Sequence, residues 1–289
     1  MKMKSFGMAL SISVMFSGCM STMQRPVLSK TTMPVCATKY KPSALNAPIG
    51  SVVLDDSSVV IRSTMTDSQT TTAFVMPVLF GVAGAIVTEG IMQLNTKNNI
   101  KNVDTLKKIY LPKITLETLQ QMKRQKRLLP ILQPVRQKIN GRRYELNPFL
   151  YFEADDKGNR ELLVLLRIVQ YNQDNKNVWL GQYVKHINIK NAKLLHNEKQ
   201  LNYKIRQALQ KTISVFNQDL RGELKKDEKQ KVSIKIKDSL TYGSGILWGW
   251  IVFENKQEVI FQTRATPDSV NGGVHIFDRK NVKSIDIIK

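Results

Sequence analysis

The residues of this 289-residue chain that could carry chemistry are few: three histidines, two cysteines, a lone serine between glycines and one acidic cluster. His186, His196 and His275 have no partner His, Cys or acid in a metal-ligand spacing such as HExxH, so each reads as a surface or packing residue. Gly243-Ser244-Gly245 lacks the full GxSxG elbow that would expose a nucleophile, and reads as a turn. Glu153, Asp155 and Asp156 suggest the paired carboxylates of glycoside hydrolysis, but their place in a hairpin turn makes them solvated turn residues. There is no glycine-rich phosphate loop. The expectation is a protein that is not an enzyme, with no metal site and no cofactor.

Cys19 is the residue whose surroundings specify a reaction. Lys2 and Lys4 precede an apolar run from Phe6 to Phe16, the plan of a secretory signal. That run is too short to span a bilayer, which takes about 20 helical residues. Phe16-Ser17-Gly18-Cys19 resembles the lipobox of bacterial lipoproteins, with Phe where Leu is usual. The resemblance implies a type II signal peptide over residues 1–18, a diacylglycerol on the Cys19 thiol and a fatty acid such as palmitate on its new amino terminus. Three such chains, at about 0.8 kcal/mol per buried methylene, amount to permanent attachment. Met20 and Ser21, with no Asp after Cys19, imply the outer membrane in enteric-type sorting, with the folded part facing the periplasm. Cys36 then has no partner for an internal disulfide, and reads as a thiol carried in a tether, the alternative being a bond between chains.

Removing residues 1–18 takes two lysines and no acid from a formal charge of +21, leaving +19. In the cytosol this would suggest nucleic acid; export removes that partner. The counter-charge becomes anionic lipid headgroups, lipopolysaccharide, peptidoglycan carboxylates or an acidic protein, or else the lysines merely solvate the surface. Charge is densest over residues 97–143, where thirteen Lys or Arg face only Asp104 and Glu117. Lys123, Arg124, Lys126, Arg127, Arg142 and Arg143 are the candidate residues for an anionic partner. The first four also suit a solvated helix end, where cations gain about 0.3–1 kcal/mol each from the helix dipole.

These residues must be positioned by the folded part, which the pattern places after a proline-bearing tether over 19–50 (Pro26, Pro34, Pro42, Pro48). Val52-Val53-Leu54 and Val59-Val60-Ile61 predict a hairpin. Phe74 to Leu94 predicts a buried helix starting near Pro77; the alternative is a segment that enters a membrane or lines a homo-oligomer. Leu116, Leu119 and Met122 mark a helix from about Thr115 that ends before Pro130. Tyr144 to Ile189 predicts a three-stranded meander whose middle strand, Leu162 to Val169, is apolar enough to be covered on both faces. Leu201, Ile205, Leu209, Ile213, Phe216, Leu220 and Leu224 trace the apolar face of a long helix.

The strand, its Asp155–Asn159 turn, the later strand opening Val178-Trp179-Leu180-Gly181 and the long helix resemble, over residues 144–226, the periplasmic α/β domain of envelope lipoproteins. Auxiliary lipoproteins of transport systems and the curli-secretion lipoproteins are among these families. The resemblance implies a fold and carries no functional residue. From Val232 the period becomes two, giving five short strands, the last of which, Asn281-Val282-Lys283-Ser284-Ile285-Asp286, resembles the closing strand of SH3-like or Sm-like barrels. Trp248 and Trp250 share one strand face, as an exposed anchor or as core, with at least one of them expected in the core.

The expected architecture is α+β: an α/β sheet-plus-helix periplasmic domain over 51–228, followed by a small five-stranded SH3-like or Sm-like β-barrel over 229–289. The expected role is a non-enzymatic envelope lipoprotein, a docking or scaffold component of a transport, secretion or assembly complex with a protein partner. The alternative is a binder of anionic envelope polymers or lipids through residues 97–143. Cys19→Ser should abolish incorporation of radiolabelled palmitate and leave an unprocessed or soluble protein; continued labelling of that variant would refute the anchor.

Overall fold

Tertiary pairing gathers the apolar runs of this sequence into strands of one sheet. In the computed structural model, residues 31–42, 51–54, 57–63, 103–155, 159–189, 193–237, 239–240, 246–267 and 269–288 are described. The chain begins with β1 (Met33–Ala37), β2 (Val52–Val53) and β3 (Val59–Ser63), then α1 (Asp104–Lys107), α2 (Leu111–Arg124) and β4 (Leu132–Pro134). Three long strands follow: β5 (Arg143–Ala154), β6 (Arg160–Tyr171) and β7 (Asn177–Asn188). After α3 (Lys193–His196) and α4 (Glu198–Leu220) come β8 (Val232–Ile236), β9 (Ile246–Glu254), β10 (Glu258–Thr263) and β11 (Val274–Asp278). A 3-10 turn at Arg279–Asn281 leads into β12 (Val282–Ile287).

The antiparallel meander β5-β6-β7 is the middle of the sheet. Its period of two sorts β6 between two cores. Leu162, Val164, Leu166 and Ile168 face the helices, while Leu163 and Leu165 join Val60, Phe149, Tyr151, Val184 and Val270 on the other side. The Asn172–Lys176 turn is held by the Asn172 side chain, which accepts from the amides of Asp174 and Lys176 at 3.0 and 2.9 Å. Asn175 there adopts a positive φ of 60°, a conformation that Asn tolerates better than most residues.

Helix α4 starts where the Asn197 side chain accepts from the Gln200 amide at 3.0 Å, and ends before Gly222, whose φ is 71°. It buries the face the sequence marks, with Phe216 among the rings of Tyr144, Trp179 and Tyr183 at centroid distances of 5.3, 6.2 and 5.7 Å. Helix α2 starts four residues earlier than its leucines suggest, because Pro112 occupies its first turn, where a missing N–H costs nothing. It lies against α4, with Arg206 donating to Glu117 at 2.7 Å.

Two expectations are corrected. The architecture is not an α/β domain followed by a separate five-stranded barrel, but one mixed twelve-stranded sheet, 24% helical and 42% strand. Its order is β12-β8-β9-β10-β11-β7-β6-β5-β1-β4, with β3 pairing β5 further along and β2 pairing β3. Strands β8 to β12 share a small core of their own, including Val232, Ile234, Leu247, Phe261 and Phe277. They do not close, because β11 runs parallel beside β7, pairing Val274 with Tyr183 and Ile276 with Lys185. Gly272 and Gly273 permit this approach. A Cβ on Gly273, whose φ is 97°, would sit 2.3 Å from the Gln182 carbonyl oxygen, and one on Gly272 would overlap the Thr266 carbonyl.

The second correction lies in the stretch expected as tether, where Met33–Ala37 is strand β1, paired in parallel with both β4 and β5. Met33 and Val35 are fully buried there, so the apolar pair overrides the local proline. Cys19 with its signal peptide, the Phe74–Leu94 segment and Gly243-Ser244-Gly245 lie outside the described residues.

Candidate functional site

The seam between β7 and β11 gathers more polar side chains than its apolar neighbours explain. Alternation puts Val274 and Ile276 on the helix side and His275 and Phe277 on the other. His186 stands on that second face of β7, and Glu161 on the same face of β6. Together they form a buried chain. Glu161 Oε1 lies 2.8 Å from His186 Nδ1, His186 Nε2 lies 3.2 Å from His275 Nδ1, and His275 Nε2 lies 3.2 Å from the Asn271 carbonyl oxygen. The second Glu161 oxygen accepts from Ser239 Oγ at 3.2 Å and from the Leu240 amide at 3.1 Å.

Donor and acceptor rules bear on the protons of His275. The Asn271 carbonyl only accepts, so His275 carries its proton on Nε2 and its Nδ1 accepts from His186 Nε2. His275 stays neutral because full burial, and then the neighbouring His186, push its pKa well below the usual histidine range. The two rings pack on Phe277, His186 at a centroid distance of 4.4 Å. This chain orders the seam, and its middle member His186 also borders a cleft there. His196, by contrast, is exposed on α3.

On the helix side of the same seam lies a cleft of about 660 Å³ between α4 and the β7–β11 pair. Lys185, Lys204, Lys237 and Lys280 line it, with Asp278 as its acid, paired to Lys185 at 2.7 Å. Lys237 donates to the Lys280 carbonyl at 2.8 Å, tying the end of β8 to the 3-10 turn. None of these lysines stands in the basic stretch that dominates the sequence. They come from four separate elements, so only the sheet order brings them together.

The six basic candidates divide. Lys123 donates to the carbonyls of Pro130 and Leu132 at 2.8 and 2.9 Å, and so fastens the loop after α2. Arg143 is 2% exposed, its guanidinium 4.0 Å from the Tyr171 ring centroid and bonded to Asn175 Oδ1 at 2.7 Å and Glu145 Oε2 at 3.4 Å. Both are structural. Arg124, Lys126, Arg127 and Arg142 remain exposed.

The acidic cluster also divides. Glu153 is not a solvated turn residue: fully buried on β5, it accepts from Arg62 at 2.8 Å and from the Tyr151 hydroxyl at 3.2 Å. Asp155 holds the turn through Asn159, and Asp156 lies outside the described residues. Cys36 is buried in β1 rather than carried in a tether, and burial, with Glu145 nearby, raises its thiol pKa. Trp248 is 63% exposed, and Trp250 on the same strand is half-buried. Neither reaches the core expected for one of them; the buried residues of β9 are Leu247, Gly249 and Val252.

The depressed His275 pKa has a consequence for stability. Its stabilising contribution is fully present above the unfolded histidine value of about 6.5 and is lost as pH falls below it, because the unfolded ring takes up a proton that the folded ring refuses. Urea unfolding at pH 7.5 and 5.5 should show wild type losing about 1 kcal/mol more over this interval than His275→Gln, since one proton gives at most about 1.4 kcal/mol per pH unit. Equal losses would mean that His275 is not held neutral by the fold.

Compared with protein-family models, with curated proteins and with solved structures, the chain matches none of them, so its function is read from its own residues.

Proposed function

We propose that this chain is a non-enzymatic envelope lipoprotein, held on the outer membrane through Cys19, that acts as a docking or scaffold component of a transport, secretion or assembly complex. The observation that carries this reading is Trp248. An indole 63% exposed leaves in water an apolar surface that folding normally removes. Ile246, 40% exposed, shares its face two residues away. The register explains why the ring stays bare: opposite Trp248 stands Ser233 on β8, and beyond it Asp286 on β12, while Ile246 faces Lys235. Serine is too short to cover an indole. An aromatic and aliphatic row rimmed by Ser, Lys and Asp has the composition of a protein contact, where Trp anchors are enriched at the centre.

Trp250 belongs to the same row but is partly engaged, with Lys226 Nζ 5.0 Å above its ring. The alternative, a binder of anionic envelope polymers or lipids through residues 97–143, retains four exposed cations of six candidates. It loses Lys123 and Arg143 to internal bonds, which favours the docking reading.

A photo-crosslinking side chain placed at position 248 in growing cells should yield a discrete protein adduct absent when the same group sits at exposed Lys199. Trp248→Ala should weaken recovery of that partner about 30-fold, the equivalent of a ~2 kcal/mol anchor. If positions 248 and 199 give the same adducts, or none, the docking row is wrong.

A further inference from the structure

We propose that the cleft between α4 and the β7–β11 seam is a binding site for a compact phosphate-bearing anion, a phosphomonoester or pyrophosphate group, held by Lys185, Lys204, Lys237 and Lys280. Among the described residues four cations line one cavity against a single acid, a formal sum of +3 even with Asp278 ionised. Asp278 already accepts from Lys185. The ammonium groups of Lys204 and Lys280 form no ion pair among the described residues, and both side chains are exposed. Like charges gathered around a low-dielectric wall create a positive potential that draws an anion in from solvent.

The type of cation narrows the ligand. Among the described residues no arginine lines the cleft, so they do not offer the planar, two-pronged geometry that suits a carboxylate. Lysine is a point charge with three donors on a flexible stem, and four of them approaching from a strand, a helix, a strand end and a turn can surround a tetrahedral oxyanion. A formal +3 also matches the two or three negative charges of such a group better than a single carboxylate. Gln207 and Asn281 add neutral amides, and Ile187 and Ala208 supply an apolar wall. A volume near 660 Å³ falls within the range of about 300–1,000 Å³ usual for small-ligand sites, leaving room for whatever the phosphate is attached to.

This cleft is separate from the Trp248 row and stands whether or not that row docks a protein. Two sources could supply the group: a soluble phosphorylated molecule or a lipid headgroup. Isothermal titration of the full lipidated chain in neutral detergent, with inorganic pyrophosphate in one arm and dihexanoyl phosphatidic acid in the other, distinguishes them. At least one probe should bind, with an affinity that falls as salt rises. Lys204→Gln/Lys280→Gln removes two cations that form no ion pair among the described residues, and should weaken binding about tenfold or more. Lys199→Gln/Lys256→Gln removes the same charge from exposed positions outside the cleft and should leave the affinity within about twofold. Binding of neither probe overturns the site, and so does equal weakening by both double variants, which would mean diffuse charge.

Discussion

The parallel pairing of β11 on β7 is the constraint on which the rest of the molecule depends. It joins the β8–β12 strands to the meander and sets the register that brings Glu161, His186 and His275 together. It also places Lys185 and Asp278 beside the lysines of α4, β8's end and the 3-10 turn. Backbone pairing here covers only three residue pairs, each hydrogen bond contributing a net ~0.5–1.5 kcal/mol. Burial of Val274, Ile276, Phe277, Tyr183 and Val184, at about 1.5–3 kcal/mol for each large apolar side chain, contributes more. Hydrophobic burial therefore holds the seam, and the polar chain specifies how it is held. A slip of one residue would turn His275 toward the helices and Ile276 into the polar pocket, leaving Glu161 and His186 buried without their third member.

This division of labour explains what the sequence could and could not reveal. Period and apolarity are local, so the β5–β7 meander, the apolar face of α4 and the five strands from Val232 onward are legible in the residues themselves. Strand partners are not. The last strands have the spacing of a small barrel and even keep a core of their own, but whether β11 closes on β12 or continues onto β7 depends on residues 89 positions apart. The signal that bears on it is Gly272-Gly273, which reads equally as an ordinary turn. Their missing side chains matter because of Gln182 and Thr266, and no local pattern announces those neighbours.

Site residues follow the same logic. A count of charges favours residues 97–143, yet two of the six candidates there serve as internal fasteners: Lys123 on loop carbonyls and Arg143 on Tyr171, Asn175 and Glu145. The cleft draws Lys185, Lys204, Lys237 and Lys280 from across 96 positions, none conspicuous where it stands in the sequence. His186 and His275 look solitary because the step between them is made by the sheet. Trp248 is recognisable as half of a same-face pair, but its exposure is decided by the short Ser233 opposite it, which only the β8–β9 register reveals.

The most direct test of a single continuous sheet is native-state hydrogen exchange across a series of low denaturant concentrations. If β7 and β11 belong to one cooperative unit, the slow amides of Asn177–Asn188 and Val274–Asp278 should share one opening free energy and one denaturant dependence. Opening of β8 to β12 at lower free energy, with the meander still protected, would contradict the single sheet and restore a separate C-terminal domain.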